Sequence, residues 1–175
     1  QEILRQELTE ILPSKDSKLT GEQMKNMPYL RAVIKESFRT MPVVNGNIRK
    51  ITKDVVLSGY EVPKNTHVAM NPAFEMQSDK QYPEPMKFIP ERWLRESKGG
   101  AECPHANKAN PFTYIPFGFG ARMCIGKRFA DMEMEVLVAN IIRNFKLEWH
   151  HADIKIKSTL VNIPDYEMKF KVIDV

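Results

Sequence analysis

Phe117-Gly118-Phe119-Gly120-Ala121-Arg122-Met123-Cys124-Ile125-Gly126 sets three glycines, an arginine and a cysteine immediately ahead of a helical pattern. Glycines at a strand-to-helix turn take positive φ and let a bulky planar group approach the backbone. A cysteine at a helix N-terminus feels the helix dipole and free amide donors, and both favour thiolate. Thiolate is the form that binds a soft metal or attacks an electrophile, and Arg122 is placed to hold an anionic group of the same ligand. Two phosphate-binding motifs compete for the segment. The dinucleotide fingerprint G-x-G-x-x-G needs glycine where Met123 stands, and it fails. A P-loop is nearly matched through Lys127, but Arg128 replaces the hydroxyl residue that would bind magnesium. The plainest alternative is a glycine turn around a buried cysteine acting as a small hydrophobe, and these residues alone leave it open.

Downstream, residues 127–143 read as helix, with Phe129, Met132, Val136 and Ile142 on one broad stripe. Beyond it, Phe145, Leu147, Trp149 and residues 167–172 alternate like strand. Upstream lies a proline-dense stretch that includes Pro83, Pro85, Pro90, Pro104 and Pro111, with Gly99-Gly100 inside it. It also carries Tyr82, Phe88, Trp93 and Leu94, so anchored irregular coil is expected rather than a free linker. Residues 43–71 alternate short apolar runs with Asn45-Gly46, Ser58-Gly59 and Pro63-Lys64-Asn65, the pattern of short strands and turns. Before that, Leu30, Ile34, Phe38 and Met41 step along a helix that begins at Pro28 and stops before Pro42. Thr20 and Gln23 form a capping box, and Leu4, Leu8 and Ile11 mark a helix ended by Pro13. The sum is an α+β architecture, mainly α with small β-sheets.

The chain has 175 residues, 42% hydrophobic and 27% charged, with a net charge of +4. Such a composition excludes disorder, collagen and coiled coil as whole-chain descriptions. The charge is too weak and too dispersed to argue for nucleic acid. Cys103 and Cys124 are the two cysteines, so a disulfide framework is excluded and a reducing compartment is expected. No C-x-x-C or H-x₃-H spacing exists, which argues against a zinc site built from Cys103, His105, Cys124, His150 and His151. The longest apolar run, 136–142, is broken by Asn140 and is far short of a membrane span. The first residues read as helix already under way, without an initiator Met. An N-terminus, and any targeting signal, is therefore expected upstream.

With that context, the opening segment resembles the haem-binding loop of the cytochrome P450 family, F-x-x-G-x-R-x-C-x-G. Phe117, Gly120, Arg122, Cys124 and Gly126 occupy every fixed position. The resemblance implies haem b, iron protoporphyrin IX, as cofactor, with Cys124 as the axial iron ligand whose electron density favours O–O cleavage. It makes Phe117 the ring beside the thiolate and Arg122 a propionate partner. Gly118, Gly120 and Gly126 shape the loop, whose amides would hydrogen-bond the sulfur. Two further matches follow the family's order. Glu36 and Arg39 have its E-x-x-R spacing, and Pro90-Glu91-Arg92-Trp93 resembles its P-E-R-F/W segment. On a helical wheel both Glu36 and Arg39 point away from the apolar stripe, as a solvated surface pair would. The resemblance instead implies a buried network with Arg92.

The same resemblance places Arg49 on a strand as a propionate-binding base and adds His67 to the cofactor residues. It makes Val43 and Val44, with Leu160 and Val161 from a late turn, contacts of the substrate pocket. Arg31 and Lys35 share a helix face with nothing apolar expected beside them. They resemble the basic pair with which the mitochondrial branch docks an acidic iron–sulfur ferredoxin. Residues 126–133 also look like that branch, which implies the inner mitochondrial membrane, matrix side, with the endoplasmic reticulum membrane as alternative.

In domain terms the resemblance implies the C-terminal portion of the P450 fold, as one fragment of a single domain. Residues 1–42 form helices, 43–71 the strand region and 72–116 an irregular meander. The loop at 117–126, a helix at 127–143 and strands at 144–175 complete it. Membrane association and the oxygen-activating residues are expected in parts outside this chain. The implied activity inserts one oxygen atom from O2 into a hydrophobic small molecule, using electrons from a protein donor. Two alternatives stand beside it: a haem-thiolate isomerase or dehydratase acting on hydroperoxides, and a non-catalytic truncated product.

Overall fold

Helix α3 (Pro28–Thr40) starts with proline at its first position, and its N-cap residue Met27 has no acceptor side chain. A helix N-terminus leaves backbone N–H groups without partners. Here Glu7, on helix α1 (Glu2–Ile11), supplies the missing acceptor, taking bonds from the Tyr29 and Leu30 amides at 2.8 and 2.9 Å. This computed structural model describes residues 1–94 and 109–175. Gly99-Gly100, Cys103, Pro104 and His105 lie outside the described residues.

The capping box at Thr20 and Gln23 is present and opens a single turn, α2 (Gly21–Met24). The long helix α5 (Lys127–Asn144) packs against α1 and α3. The core lies among these three, built from Leu4, Leu8, Met27, Leu30, Ala139 and Ile142. Arginines tie the helix ends together. Arg5 on α1 donates to the Ile142 and Phe145 carbonyls, and Arg143 on α5 donates to those of Leu12 and Pro13. Each C-terminus thus has a cation from the other helix against the carbonyls at its end, where the helix dipole favours positive charge.

The expected stripe on α5 is only half buried. Ile142 is in the core, whereas Phe129 and Met132 are exposed, outside the cluster that α1, α3 and α5 pack around. Between α3 and α5 run β1 (Asn47–Lys50), β2 (Val55–Leu57), β3 (Tyr60–Val62) and β4 (His67–Met70). They pair antiparallel as β1 with β4 and β2 with β3. The proline-dense stretch is more regular than its composition suggests. It holds helix α4 (Pro72–Met76) and 3₁₀ turns at Pro90–Trp93 and Pro111–Thr113, each opening on proline.

After α5 come β5 (Phe145–Glu148), β6 (Ile156–Ser158), β7 (Asn162–Pro164) and β8 (Lys171–Asp174). β5 pairs with β8, and β6 with β7. The strand anticipated over 167–172 begins only at Lys171. No helix of the described residues is long and apolar enough to cross a membrane.

Candidate cofactor-binding site

The wheel expectation for Glu36 and Arg39 fails. Both are fully buried, as is Arg92. Helix α3 buries two faces: Leu30 toward α1 and α5, and Ala32, Glu36 and Arg39 toward the 3₁₀ turn at Pro90–Trp93. The stripe of apolar residues reveals only the first face, because the second is polar.

Five donors converge on the Glu36 carboxylate. Arg39 gives its Nε and one Nη at 2.9 Å each, Arg92 its Nε at 3.1 Å, the Ile89 amide 2.9 Å and the Trp93 indole 2.8 Å. The same two guanidinium groups also donate to backbone carbonyls at 2.8 to 3.1 Å, Arg39 to Met76 and Lys87 and Arg92 to Pro83. The Tyr82 ring lies 5.5 Å from the Arg39 guanidinium carbon, which helps offset the excess positive charge. Burial pushes the Glu36 carboxyl up, but Arg39, the Ile89 amide and Trp93 outweigh it and hold the group below its ordinary value. Such a cluster is tolerated in the interior only because its polar atoms are paired. It staples the proline-dense coil to α3, and the loop at 117–126 follows directly from that coil.

Among the described residues no strand leads directly into this loop, which is entered from the turn at Pro111–Thr113 and contains a 3₁₀ turn at Gly120–Arg122. Gly118 and Gly120 have φ of +70° and +73°, the region that favours glycine. The Cys124 amide donates to the Phe117 carbonyl at 2.9 Å, and the Met123 amide to Gly120 at 3.0 Å. Among the described residues no hydrogen bond ends on the Cys124 sulfur, and these two amides close the loop on itself. α5 starts at Lys127, beyond Cys124, with Gly126 as its N-cap. The thiol is exposed, so the buried-hydrophobe alternative does not hold. A Cβ on Gly126 would lie 3.8 Å from the sulfur, and one on Gly120 would meet nothing within 4 Å.

Arg49 reaches across from β1 and donates to the Arg122 carbonyl at 3.3 Å, so both arginines stand at one edge of the loop. His67 is not brought to them. It pairs with Lys50, one step from the Arg49–Val68 pair, and so takes the opposite face of the ribbon from Arg49. Phe117 meets Phe38 of α3 edge-on, with ring centroids 5.2 Å apart. Large apolar side chains remain exposed around the cysteine, among them Phe119, Met123 and Ile125. An exposed thiol, open space over Gly120, apolar surface and two arginines at one edge fit a planar, metal-bearing, apolar group with anionic substituents.

Val43 and Val44 are exposed, as are Leu160 and Val161, so none is plain core. The structure brings the two pairs together: Asn162 donates from its amide to the Val43 carbonyl and from its side chain to Pro42, both at 2.7 Å.

Arg31 and Lys35 do not form a uniformly solvated face. Arg31 pairs with Glu135 of α5 at 3.1 Å and donates to the Met24 and Lys25 carbonyls, whereas Lys35 lies 5.7 Å from the Trp93 ring centre. Both line a cavity of about 350 Å³ with Phe38, Tyr114, Phe117, Lys127, Asp131 and Glu135. Burial raises the Tyr114 hydroxyl above its ordinary value. The sequence reading missed Glu135 and the bond from Trp93 to Glu36. The first was visible as Lys127, Asp131 and Glu135 at i, i+4 and i+8. Trp93 stood inside the quoted P-E-R-W segment without a role.

Comparison with known proteins agrees with this geometry. The chain matches the family model for cytochrome P450 over residues 1–172. It is 51% identical to cytochrome P450 CYP12A2 of Musca domestica over 180 residues, covering 100% of this chain and 34% of that protein. It is 48% identical to a probable mitochondrial cytochrome P450, 12a5, of Drosophila melanogaster, covering 100% of this chain and 33% of that one. The chain thus spans about a third of the length of these relatives. A solved retinoic acid-bound cyanobacterial CYP120A1 superposes with a TM-score of 0.86 at 30% identity, over 99% of this chain and 38% of that one. The α+β arrangement of helices and small sheets is therefore part of the P450 fold, and the chain belongs to the cytochrome P450 family.

Proposed function

We propose that these residues form the cofactor-holding part of a haem-thiolate monooxygenase, which inserts one oxygen atom from O2 into a hydrophobic small molecule. Haem is the cofactor of this family, and when bound it supplies the oxygen-activating chemistry. The observation that carries the reading is the exposed Cys124 thiol, on a glycine loop continuous with the coil that Glu36, Arg39 and Arg92 anchor to α3.

Cys124 is the iron ligand in this reading, and Gly120 and Gly126 keep side chains away from the sulfur and the space beside it. Arg49 and Arg122 hold the propionates, and Phe117 fixes the loop against Phe38 of α3. Val43, Val44, Leu160 and Val161 offer apolar contacts to the substrate. Electrons come from an acidic iron–sulfur ferredoxin docked beside Arg31 and Lys35. The mitochondrial names of several relatives support a mitochondrial setting, within which this reading takes the matrix side of the inner membrane.

The deciding experiment is a carbon monoxide difference spectrum of the reduced, haem-loaded protein and its Cys124→Ser variant. A thiolate-type Soret band is expected in the first and not in the second. The same band in both would remove Cys124 as the ligand.

A further inference from the structure

Facing charged stripes line the cavity between α3, the loop and α5. Arg31 and Lys35 stand at i and i+4 on α3, and Lys127, Asp131 and Glu135 at i, i+4 and i+8 on α5. Two of the three cations are already neutralised from within: Glu135 takes Arg31 at 3.1 Å, and Asp131 takes Lys127 at 2.5 Å. Arg31 is further tied to the Met24 and Lys25 carbonyls, so it serves as a strut between α2, α3 and α5. Lys35 is different. Its side chain has no carboxylate partner among the described residues, and it is exposed above the Trp93 ring. The floor is aromatic, with Phe38, Tyr114 and Phe117.

We infer that this cavity is a socket for a carboxylate of the acidic electron donor, in which Lys35 provides the free cation and Glu135 is an internal competitor that sets the affinity. The inference rests on the docking role proposed above for this face and assigns its parts differently. Counting the five charged lining residues, the socket carries one net positive charge. An incoming carboxylate meets the ammonium of Lys35, the repulsion of Glu135, and an Arg31 guanidinium whose Nε is already engaged. Removing the Glu135 charge doubles the net charge of the socket and leaves Arg31 without a carboxylate partner there. Attraction between partly exposed charges acts on encounter rate and falls with salt. The variant's affinity should therefore rise most at low ionic strength.

The test uses the haem-loaded protein and an acidic [2Fe–2S] ferredoxin, with Kd measured calorimetrically across a series of salt concentrations. Lys35→Glu is expected to weaken binding. Glu135→Gln should tighten it about 3- to 10-fold at low salt, with a steeper salt dependence, as expected for one unit of charge in a steering field. Glu135→Asp keeps the charge and should stay near the parent value. Glu167→Gln makes the same change in net charge outside the cavity and should leave Kd unaltered. No effect of Lys35→Glu would overturn the docking role itself. Weakening by Lys35→Glu with no tightening by Glu135→Gln would overturn only the competitor role. Equal tightening by Glu135→Gln and Glu167→Gln would also overturn it, by showing an effect of total charge alone.

Discussion

The Trp93 indole donates to Glu36 Oε2 at 2.8 Å across 57 residues of sequence, so the carboxylate that pairs with two arginines is also held by a neutral ring. That ring packs on Tyr114, with centroids 4.5 Å apart, and Tyr114 in turn lines the cavity beside the loop. The buried network and this cavity therefore share a wall.

Removing Glu36 leaves two buried guanidinium groups without a counter-charge. Loss of one partner from a buried ion pair costs on the order of 3–5 kcal/mol, and here one carboxylate serves two arginines. Glu36→Ala should therefore abolish haem retention in the purified protein. Normal haem content, measured as the Soret-to-protein absorbance ratio, would refute the network's role.

Trp93→Phe keeps an aromatic ring against Tyr82 and Tyr114 but deletes the donor to Glu36. A hydrogen bond to a charged group is worth about 1.5–3 kcal/mol. Urea unfolding should show a loss of that size, and an unchanged midpoint would mean that the indole bond contributes nothing.

The Glu36 carboxyl is held below the ordinary carboxylate value in the folded chain despite burial. A depressed folded value means stability that is present above the unfolded pKa and lost as pH falls through the folded one. Circular dichroism during acid titration should show unfolding below about pH 4 on this account. In Glu36→Gln that acid-linked component should disappear, leaving a lower and flatter stability in the same range.

Gly118 and Gly120 have nearly the same positive φ, so alanine at either should add comparable strain, about 1–2 kcal/mol. They differ in surroundings. A Cβ at 118 would touch the Asn47 side chain at 3.5 Å, whereas one at 120 projects into open space. Haem titration should therefore show weaker uptake for Gly120→Ala than for Gly118→Ala at matched stability. Equal uptake would place the cofactor elsewhere.

Cys124→Ser removes a sulfur that accepts no hydrogen bond among the described residues. Thermal unfolding of the haem-free protein should shift by less than about 0.5 kcal/mol, as for an exposed substitution away from special contacts. A large loss would give the thiol a structural role instead.

Much of the fold could be read from local pattern. Proline at 28 and 42 bracketed α3, the Thr20–Gln23 box set the start of α2, and the glycines at 118 and 120 announced positive φ. Each is a constraint of a residue on its own backbone, which a sequence states directly. The loop motif likewise named Cys124, Arg122 and the spacing that pointed to the family.

Tertiary structure decided which polar side chains went inside. Periodicity sees apolar faces, and so it sent Glu36 and Arg39 outward, because their second buried face is lined by charge satisfied from 37 to 57 residues away. It also overcounted the apolar stripe of α5, where Phe129 and Met132 stay exposed for want of a packed neighbour. The same holds for Arg31: its sequence position gave a basic side chain, and only the approach of α5 turned that side chain into a strut on Glu135. Local chemistry fixes backbone shape and residue type, but pairing depends on which distant donors and acceptors the packed elements bring within about 3 Å of one another.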